Sequence, residues 1–76
     1  MRLKIDTDSD AIYLYVTTTK IDNTKRVRPG ENHDFDSDGQ LVGVEIIDAS
    51  KRFGDIRKLT LDAVVADLHL KELAAA

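Results

Sequence analysis

The chain has 76 residues, a net charge of −3 and no cysteine, which predicts one small domain over residues 1–76 without disulfides or thiolate zinc sites. No apolar run approaches the roughly 20 residues that a membrane helix needs, and the N-terminus lacks the apolar core of a signal peptide. Composition and charge therefore predict a soluble cytoplasmic protein without general affinity for nucleic acid.

The first part of the chain predicts a β-hairpin. Residues 2–5 alternate polar and apolar side chains, which is the pattern of a strand with one solvated face. A turn-forming cluster at 6–10 separates them from 11–16, a run of apolar and aromatic residues whose β-branched and aromatic members favour a strand. Tyr13 and Tyr15 share the face opposite the aliphatic residues of that run. We therefore expect the tyrosine side of the strand to lie against another element or another subunit.

The middle of the chain predicts an exposed strand and two turns. Residues 25–28 are basic and extended, and Arg26 and Arg28 would face the same way, before a Pro-Gly turn at 29–30. A short extended segment over 31–35 follows, with Phe35 directed inward. The aspartate-rich stretch after it reverses the chain.

Residues 40–47 are predicted to form the best strand of the protein. Gly43 indicates a bulge or a close backbone approach, because a glycine inside a strand weakens it otherwise. Glu45 lies among apolar residues and is expected to pair with an arginine or lysine at an edge or interface. One face of the strand is predicted to be lined by Val42, Val44 and Ile46.

The C-terminal part of the chain changes to helical periodicity. Asp48 is a suitable N-cap for a short helical turn over 49–53. From Thr60 onward apolar residues recur at helical spacing, which predicts a helix over 60–73 with Thr60 as its cap. Together with the strands, this predicts an α+β fold, a small antiparallel β-meander of about four strands with a C-terminal helix packed on one face. Because the core is small, we also expect a homodimer, formed through the tyrosine face or a sheet edge.

The sharpest chemical motif is a potential calcium loop. Asp34, Asp36, Asp38 and Gly39, followed by Glu45, satisfy the EF-hand pattern in full. An EF-hand needs a helix on each side, however, and the segment after the glycine is strand-like. In a strand, Glu45 would lie about 20 Å from Gly39 at roughly 3.3 Å per residue, too far to close a cage around the same ion. We therefore interpret the motif as a hairpin turn and keep the three aspartates only as candidate ligands for a loosely held cation.

Other reactive side chains have structural interpretations. His33 is expected on a surface loop, and His69 is expected at the margin of the apolar stripe of the C-terminal helix. Neither has the surroundings of a metal site or a catalytic triad, so we predict no catalytic residues and no cofactor. The basic strand with Arg26 and Arg28 could follow a DNA groove as a ribbon, but the acidic total favours a solvated edge strand.

One block of the sequence carries a family resemblance. The aspartate-rich turn and tyrosine strand of 6–16 and the block FDSDGQLVGVEIIDAS at 35–50 resemble a small prokaryotic family, domain of unknown function 2283. The resemblance spans about residues 2–53, with Val44 and Ile47 as conservative replacements. It implies a small antiparallel sheet with a helix and brings no catalytic residues. Some relatives are encoded beside small toxin-like proteins of ribonuclease fold, which implies an antitoxin-like role.

These observations favour a protein-interaction module without enzymatic activity, acting as a homodimer or with a protein partner such as a small ribonuclease-fold toxin. The interface candidates are Tyr13, Tyr15, Arg26 and Arg28. The alternative is a metal-binding protein or small enzyme that uses the acidic region from Asp34 to Glu45. A saturable tight site for calcium, magnesium or manganese would favour that alternative.

Overall fold

A single antiparallel sheet of five strands organises the protein in its computed structural model, which describes residues 1–75. The strands are β1 (Arg2–Asp6), β2 (Ala11–Tyr15), β3 (Asn23–Arg28), β4 (Glu31–Phe35) and β5 (Leu41–Ile47). Their order across the sheet is β1-β2-β5-β4-β3. The most apolar strands, β2 and β5, therefore pair with each other inside the sheet, where each has a neighbouring strand on both sides.

The helices follow the sheet in the chain. They are α1 (Ala49–Phe53), α2 (Leu61–Asp67) and α3 (Lys71–Ala75), with a single 3₁₀ turn at Ile56–Lys58 between α1 and α2. The predicted α+β class is confirmed, with five strands where about four were expected. Within residues 1–75, no helix has the length and apolar character needed to cross a membrane.

The hydrophobic core lies between one face of the sheet and the helical segment. Central strands contribute Ile12 and Leu14 from β2 and Val44 and Ile46 from β5, all at most 2 % exposed. The helical side contributes Ala49, Ile56, Val64 and Val65. Alternation in the two central strands therefore directs one set of side chains into this core and the other set to the opposite face.

A β-bulge in β5 changes which of its residues reach the core. Asp34 pairs with Gly43 but Phe35 pairs with Leu41, so β5 carries one extra residue at this point. Leu41 packs against the core, whereas Val42 is buried outside the core cluster. The prediction that Val42 shares the core face with the later residues of β5 is therefore wrong. Phe35, expected to point inward, is half-buried and is not among the residues that pack on the core.

The N-terminus of α1 is capped from the first hairpin. Asp48 holds the N-cap position with φ 56° but its side chain makes no capping hydrogen bond, so the prediction that it caps this helix is wrong. Instead, the carboxylate of Asp10 accepts from Ser50 N at 2.9 Å and from Ser50 Oγ at 2.6 Å. The Asp10 carbonyl also accepts from Ala49 N at 2.9 Å. This cap ties the β1–β2 turn to the end of β5.

The predicted start of the C-terminal helix is confirmed. Thr60 is the N-cap of α2, and its Oγ1 accepts from Ala63 N at 3.2 Å. After this cap, Val64 and Val65 of α2 lie in the core, as the helical spacing predicted.

In place of one helix over 60–73, the structure has α2 and α3 separated by a Schellman turn. His69 adopts φ 58°, the left-handed conformation that terminates a helix. Its N–H donates to Ala66 O at 3.2 Å, and Leu70 N donates to Val65 O at 2.9 Å. Leu70 also packs against the core. The helix ends here because this turn places Leu70 in the core, which continued helix geometry would not do.

Candidate functional site

One face of the sheet is not covered by the helices of residues 1–75, and we refer to it as the open face. Strand registers arrange its side chains in rows that run across the strands. The first row is Lys4, Tyr13, Glu45, Asn32 and Arg26, the second row is Arg2, Tyr15, Gly43, Asp34 and Thr24, and a shorter third row is Asp6, Ala11 and Ile47. The first two rows therefore carry tyrosines on β2, carboxylates on β5 and β4, and cations on the edge strands β1 and β3.

Tyr13 lies across the backbone of Gly43 and reaches the strand beyond it. Its hydroxyl donates to Asp34 Oδ2 at 2.5 Å, and Thr24 Oγ1 donates to Asp34 Oδ1 at 2.5 Å. A Cβ at Gly43 would lie 2.5 Å from Cε1 of the Tyr13 ring. The predicted close approach at Gly43 is therefore to a tyrosine ring, and three strands, β2, β4 and β3, are joined through one carboxylate that is only 9 % exposed.

The hydroxyl of Tyr13 is held as a hydrogen-bond donor. Burial raises the pKa of the Tyr13 phenol above its ordinary value, and the hydrogen bond to Asp34 raises it further. The phenol therefore stays protonated at neutral pH. Such a group orients its neighbours but does not exchange protons at physiological pH, so this cluster fits a structural or binding role rather than acid–base catalysis.

Tyr15 completes an aromatic pair that is fixed from both sides. The ring centroids of Tyr13 and Tyr15 are 4.7 Å apart with an interplanar angle of 58°. The Arg2 guanidinium lies 4.2 Å from the centroid of the Tyr15 ring, which is cation–π geometry. Both rings are half-buried. The structure thus brings these two sequence-predicted interface residues together as one surface.

The two arginines of β3 are separated rather than brought together. Arg26 pairs with Asn32 on the open face. A register irregularity follows, and Arg28 pairs with Glu31, whose Oε1 lies 3.6 Å from Arg28 Nε. Because one residue of irregularity exchanges the faces of a strand, the expectation that Arg26 and Arg28 face the same way is wrong.

Sequence reasoning did not single out Glu31, which lies at the centre of an ion-pair network. Its side chain is 4 % exposed; Oε1 accepts from Arg52 Nη1 at 2.6 Å, and Oε2 lies 2.6 Å from His33 Nε2. Arg52 Nη2 is also 2.6 Å from Asp67 Oδ2. The network joins β4, α1 and α2, and no local pattern indicates it because Arg52 and Asp67 lie far from Glu31 in the sequence. His33, expected on a loop, belongs to β4.

The charge of Glu31 is stabilised by its partners. Burial would raise the pKa of this carboxyl, but hydrogen bonds from Arg52 and His33 outweigh burial and the pKa is lowered overall. The carboxylate is therefore ionised and paired at neutral pH. This arrangement fastens the helical segment to the sheet.

Glu45 has a different partner from the one predicted. Asn32 Nδ2 donates to Glu45 Oε1 at 3.2 Å, so an amide from the neighbouring strand takes the place of the expected arginine or lysine. Glu45 lies on a central strand rather than at an edge.

The acidic turn before β5 is a hairpin turn in which carboxylates accept hydrogen bonds from donors of the chain itself. Asp36 Oδ1 accepts from Asp38 N and from Gln40 N, both at 2.9 Å. The Asp34 carboxylate already accepts hydrogen bonds from Tyr13 and Thr24. Within residues 1–75, no group of three or more histidine, cysteine, aspartate or glutamate side chains is arranged to hold a metal ion. The structure therefore does not bring Asp34, Asp36 and Asp38 together around one point.

A protein-family model described as "Protein of unknown function (DUF2283)" matches residues 2–50. No curated protein and no solved structure matches the chain. The matched residues contain every strand and the rows of the open face.

Proposed function

Since the chain belongs to the DUF2283 family, whose function is unknown, we propose a function from the geometry of the open face. The protein is a non-enzymatic interaction module that binds another protein through this surface. One observation carries the proposal, namely the aromatic pair of Tyr13 and Tyr15 that lies uncovered on the sheet and is fixed by Asp34 and Arg2.

Aromatic residues and arginine are the side chains most enriched at protein interfaces. Rings that are already fixed lose little conformational entropy on binding, which leaves more of the contact energy for affinity. Lys4 and Arg26 lie at opposite ends of the first row. A partner with apolar side chains opposite the two tyrosines and acidic side chains opposite these cations would therefore complement the open face. The family resemblance makes small ribonuclease-fold proteins the first class of partner to test.

We propose further that two copies of the chain associate through β1. Among the residues that the structure describes, β1 and β3 are the two edge strands of the sheet. Lys25, Arg26 and Arg28 on β3 would lie opposite like charges if two copies paired there antiparallel. β1 carries both basic and acidic side chains, so Lys4 of one copy can lie opposite Asp6 of the other in an antiparallel pairing. This pairing would continue the sheet and leave both open faces accessible.

Partner binding can be tested by capture from an extract of the organism that encodes the protein. The bait is the whole chain, compared with Arg26→Glu on the open face and with Lys58→Glu in the 3₁₀ turn as a matched control. We expect a protein that the wild type and Lys58→Glu retain and that Arg26→Glu loses. Equal retention by all three baits would contradict the open face as the contact surface.

Light scattering tests the homodimer separately. The wild type is expected at twice the chain mass, and Lys4→Glu is expected to approach the monomer mass because it places two carboxylates opposite each other. Lys25→Glu on the other edge serves as the matched control and should remain dimeric. A wild-type monomer at all concentrations would refute the dimer, and a dimeric Lys4→Glu would refute the β1 pairing.

A further inference from the structure

A cavity of ≈ 760 Å³ opens at one end of the open face, where the chain leaves β2 and crosses towards β3. Its floor is apolar and aromatic. The apolar and aromatic residues that line it include Tyr13, Tyr15, Val16, Ile21 and Val42. Ligand-binding clefts typically measure about 300–1,000 Å³ and have mostly apolar linings with a few polar groups, so this cavity has the size and surface of a small-molecule site.

The bulge in β5 helps to form the cavity. Val42 is only 5 % exposed, yet it does not pack in the core and contributes to this lining instead. Ile21, which is 46 % exposed, also lines the cavity. An apolar ligand would therefore cover the exposed surface of Ile21.

The rim of the cavity is cationic. Arg2 and Lys20 line it, and within residues 1–75 none of the lining residues is an aspartate or glutamate, although the chain contains 14 acidic residues and 11 basic ones. The lining also includes threonines at 17–19, of which Thr19 donates to Asp36 Oδ2 at 3.2 Å. The potential at the opening therefore favours an anion.

Arg2 is positioned to receive a carboxylate. Its guanidinium carbon lies 4.2 Å from the centroid of the Tyr15 ring, a cation–π contact that restrains the position of the group. A guanidinium carries N–H donors whose planar arrangement matches the two oxygens of a carboxylate. The contact with the ring therefore restrains the group without consuming its donors.

We propose that this cavity binds an amphipathic carboxylate, a molecule of the medium-chain fatty acid class. The apolar tail lies on the tyrosine and valine floor, and the carboxylate binds between Arg2 and Lys20. This binding goes beyond the proposed interaction with a protein and can be tested on the purified chain alone.

Intrinsic fluorescence provides a direct readout, because the chain has two tyrosines and no tryptophan and both tyrosines line the cavity. The probe is decanoate, titrated below its micelle concentration and compared with decanol, which has the same tail without the charge. We expect a saturable change with decanoate and at least a tenfold weaker response to decanol. No saturable change with decanoate, or equal affinity for the two probes, would overturn the proposal.

Charge variants test the rim. Arg2→Gln combined with Lys20→Gln should weaken decanoate binding at least tenfold and leave decanol binding unchanged, whereas Lys58→Gln should change neither. Ile21→Glu places a carboxylate at an exposed point of the rim and should also weaken decanoate binding. Far-ultraviolet circular dichroism establishes that each variant is folded. Unchanged decanoate affinity in the folded Arg2, Lys20 double variant would overturn the assignment of the rim.

Discussion

Tyr13 and Gly43 occupy neighbouring strands, and the ring of the tyrosine fills the space in which any other residue at position 43 would place its Cβ. The glycine is therefore required by a side chain of the adjacent strand. Because the ring crosses at this point, the Tyr13 hydroxyl reaches Asp34 on β4.

Gly43→Ala should reduce the free energy of unfolding by about 1–3 kcal/mol, because the new methyl group displaces the Tyr13 ring and breaks its bond to Asp34. Urea denaturation followed by circular dichroism measures the effect. The same substitution in a Tyr13→Val background should cost less than about 0.5 kcal/mol, since alanine is otherwise preferred to glycine in a strand. An equal cost in both backgrounds would contradict the steric explanation.

Tyr13 should ionise at higher pH than a free tyrosine. Burial and the Asp34 hydrogen bond raise its pKa in the folded state, so their stabilising effect is complete below the pKa of the unfolded chain. That stability is lost as the pH rises through the folded pKa. Tyrosinate absorbance in a Tyr15→Phe variant, which leaves Tyr13 as the only phenol, checks this. Ionisation at the ordinary tyrosine value would argue against the Tyr13–Asp34 bond.

Arg52→Met should destabilise the protein by about 2–3 kcal/mol at neutral pH, because it leaves the buried Glu31 carboxylate without its strongest partner. The matched control is Arg57→Met, since Arg57 forms only an exposed pair with Asp55 and should not change the unfolding midpoint.

The effect of Arg52→Met should also depend on pH. Because the pKa of Glu31 is lowered in the folded wild type, the stability it contributes is present above the unfolded pKa and is lost as the pH falls through the folded pKa. The difference in free energy of unfolding between wild type and Arg52→Met should therefore become smaller at acidic pH. A constant difference at all pH values would show that Arg52 acts through packing alone.

His69→Gly should stabilise the chain by about 1 kcal/mol, because glycine adopts the left-handed conformation of this helix end without steric cost. Thermal denaturation provides the measurement. His69→Ala, which keeps the Cβ, is the control and should give no gain. A loss of stability with glycine would indicate that the imidazole itself contributes.

Local patterns predicted the elements that depend on neighbouring residues. Alternation and apolar runs located β1, β2 and β5, turn-forming residues located the reversals, and Thr60 marked the start of α2. These features follow from backbone conformation and nearby hydrogen bonds, which a short stretch of sequence specifies by itself.

Such local patterns did not predict the contacts between segments that are distant in the sequence. The cap of α1 comes from Asp10 rather than Asp48, and the partner of Glu31 is Arg52 on α1, beyond the hairpin turn and strand β5. Nothing in either residue's surroundings indicates its partner, because packing of the sheet against the helices brings them together.

The sequence by itself determined the fold class, the strands and the family of this protein. Tertiary structure alone decided which face each side chain occupies, since one extra residue in β5 removes Val42 from the core and one irregularity in β3 turns Arg28 away from Arg26. Such shifts arise from the pairing between strands, and a pairing register is set by the partner strand as much as by the residues themselves.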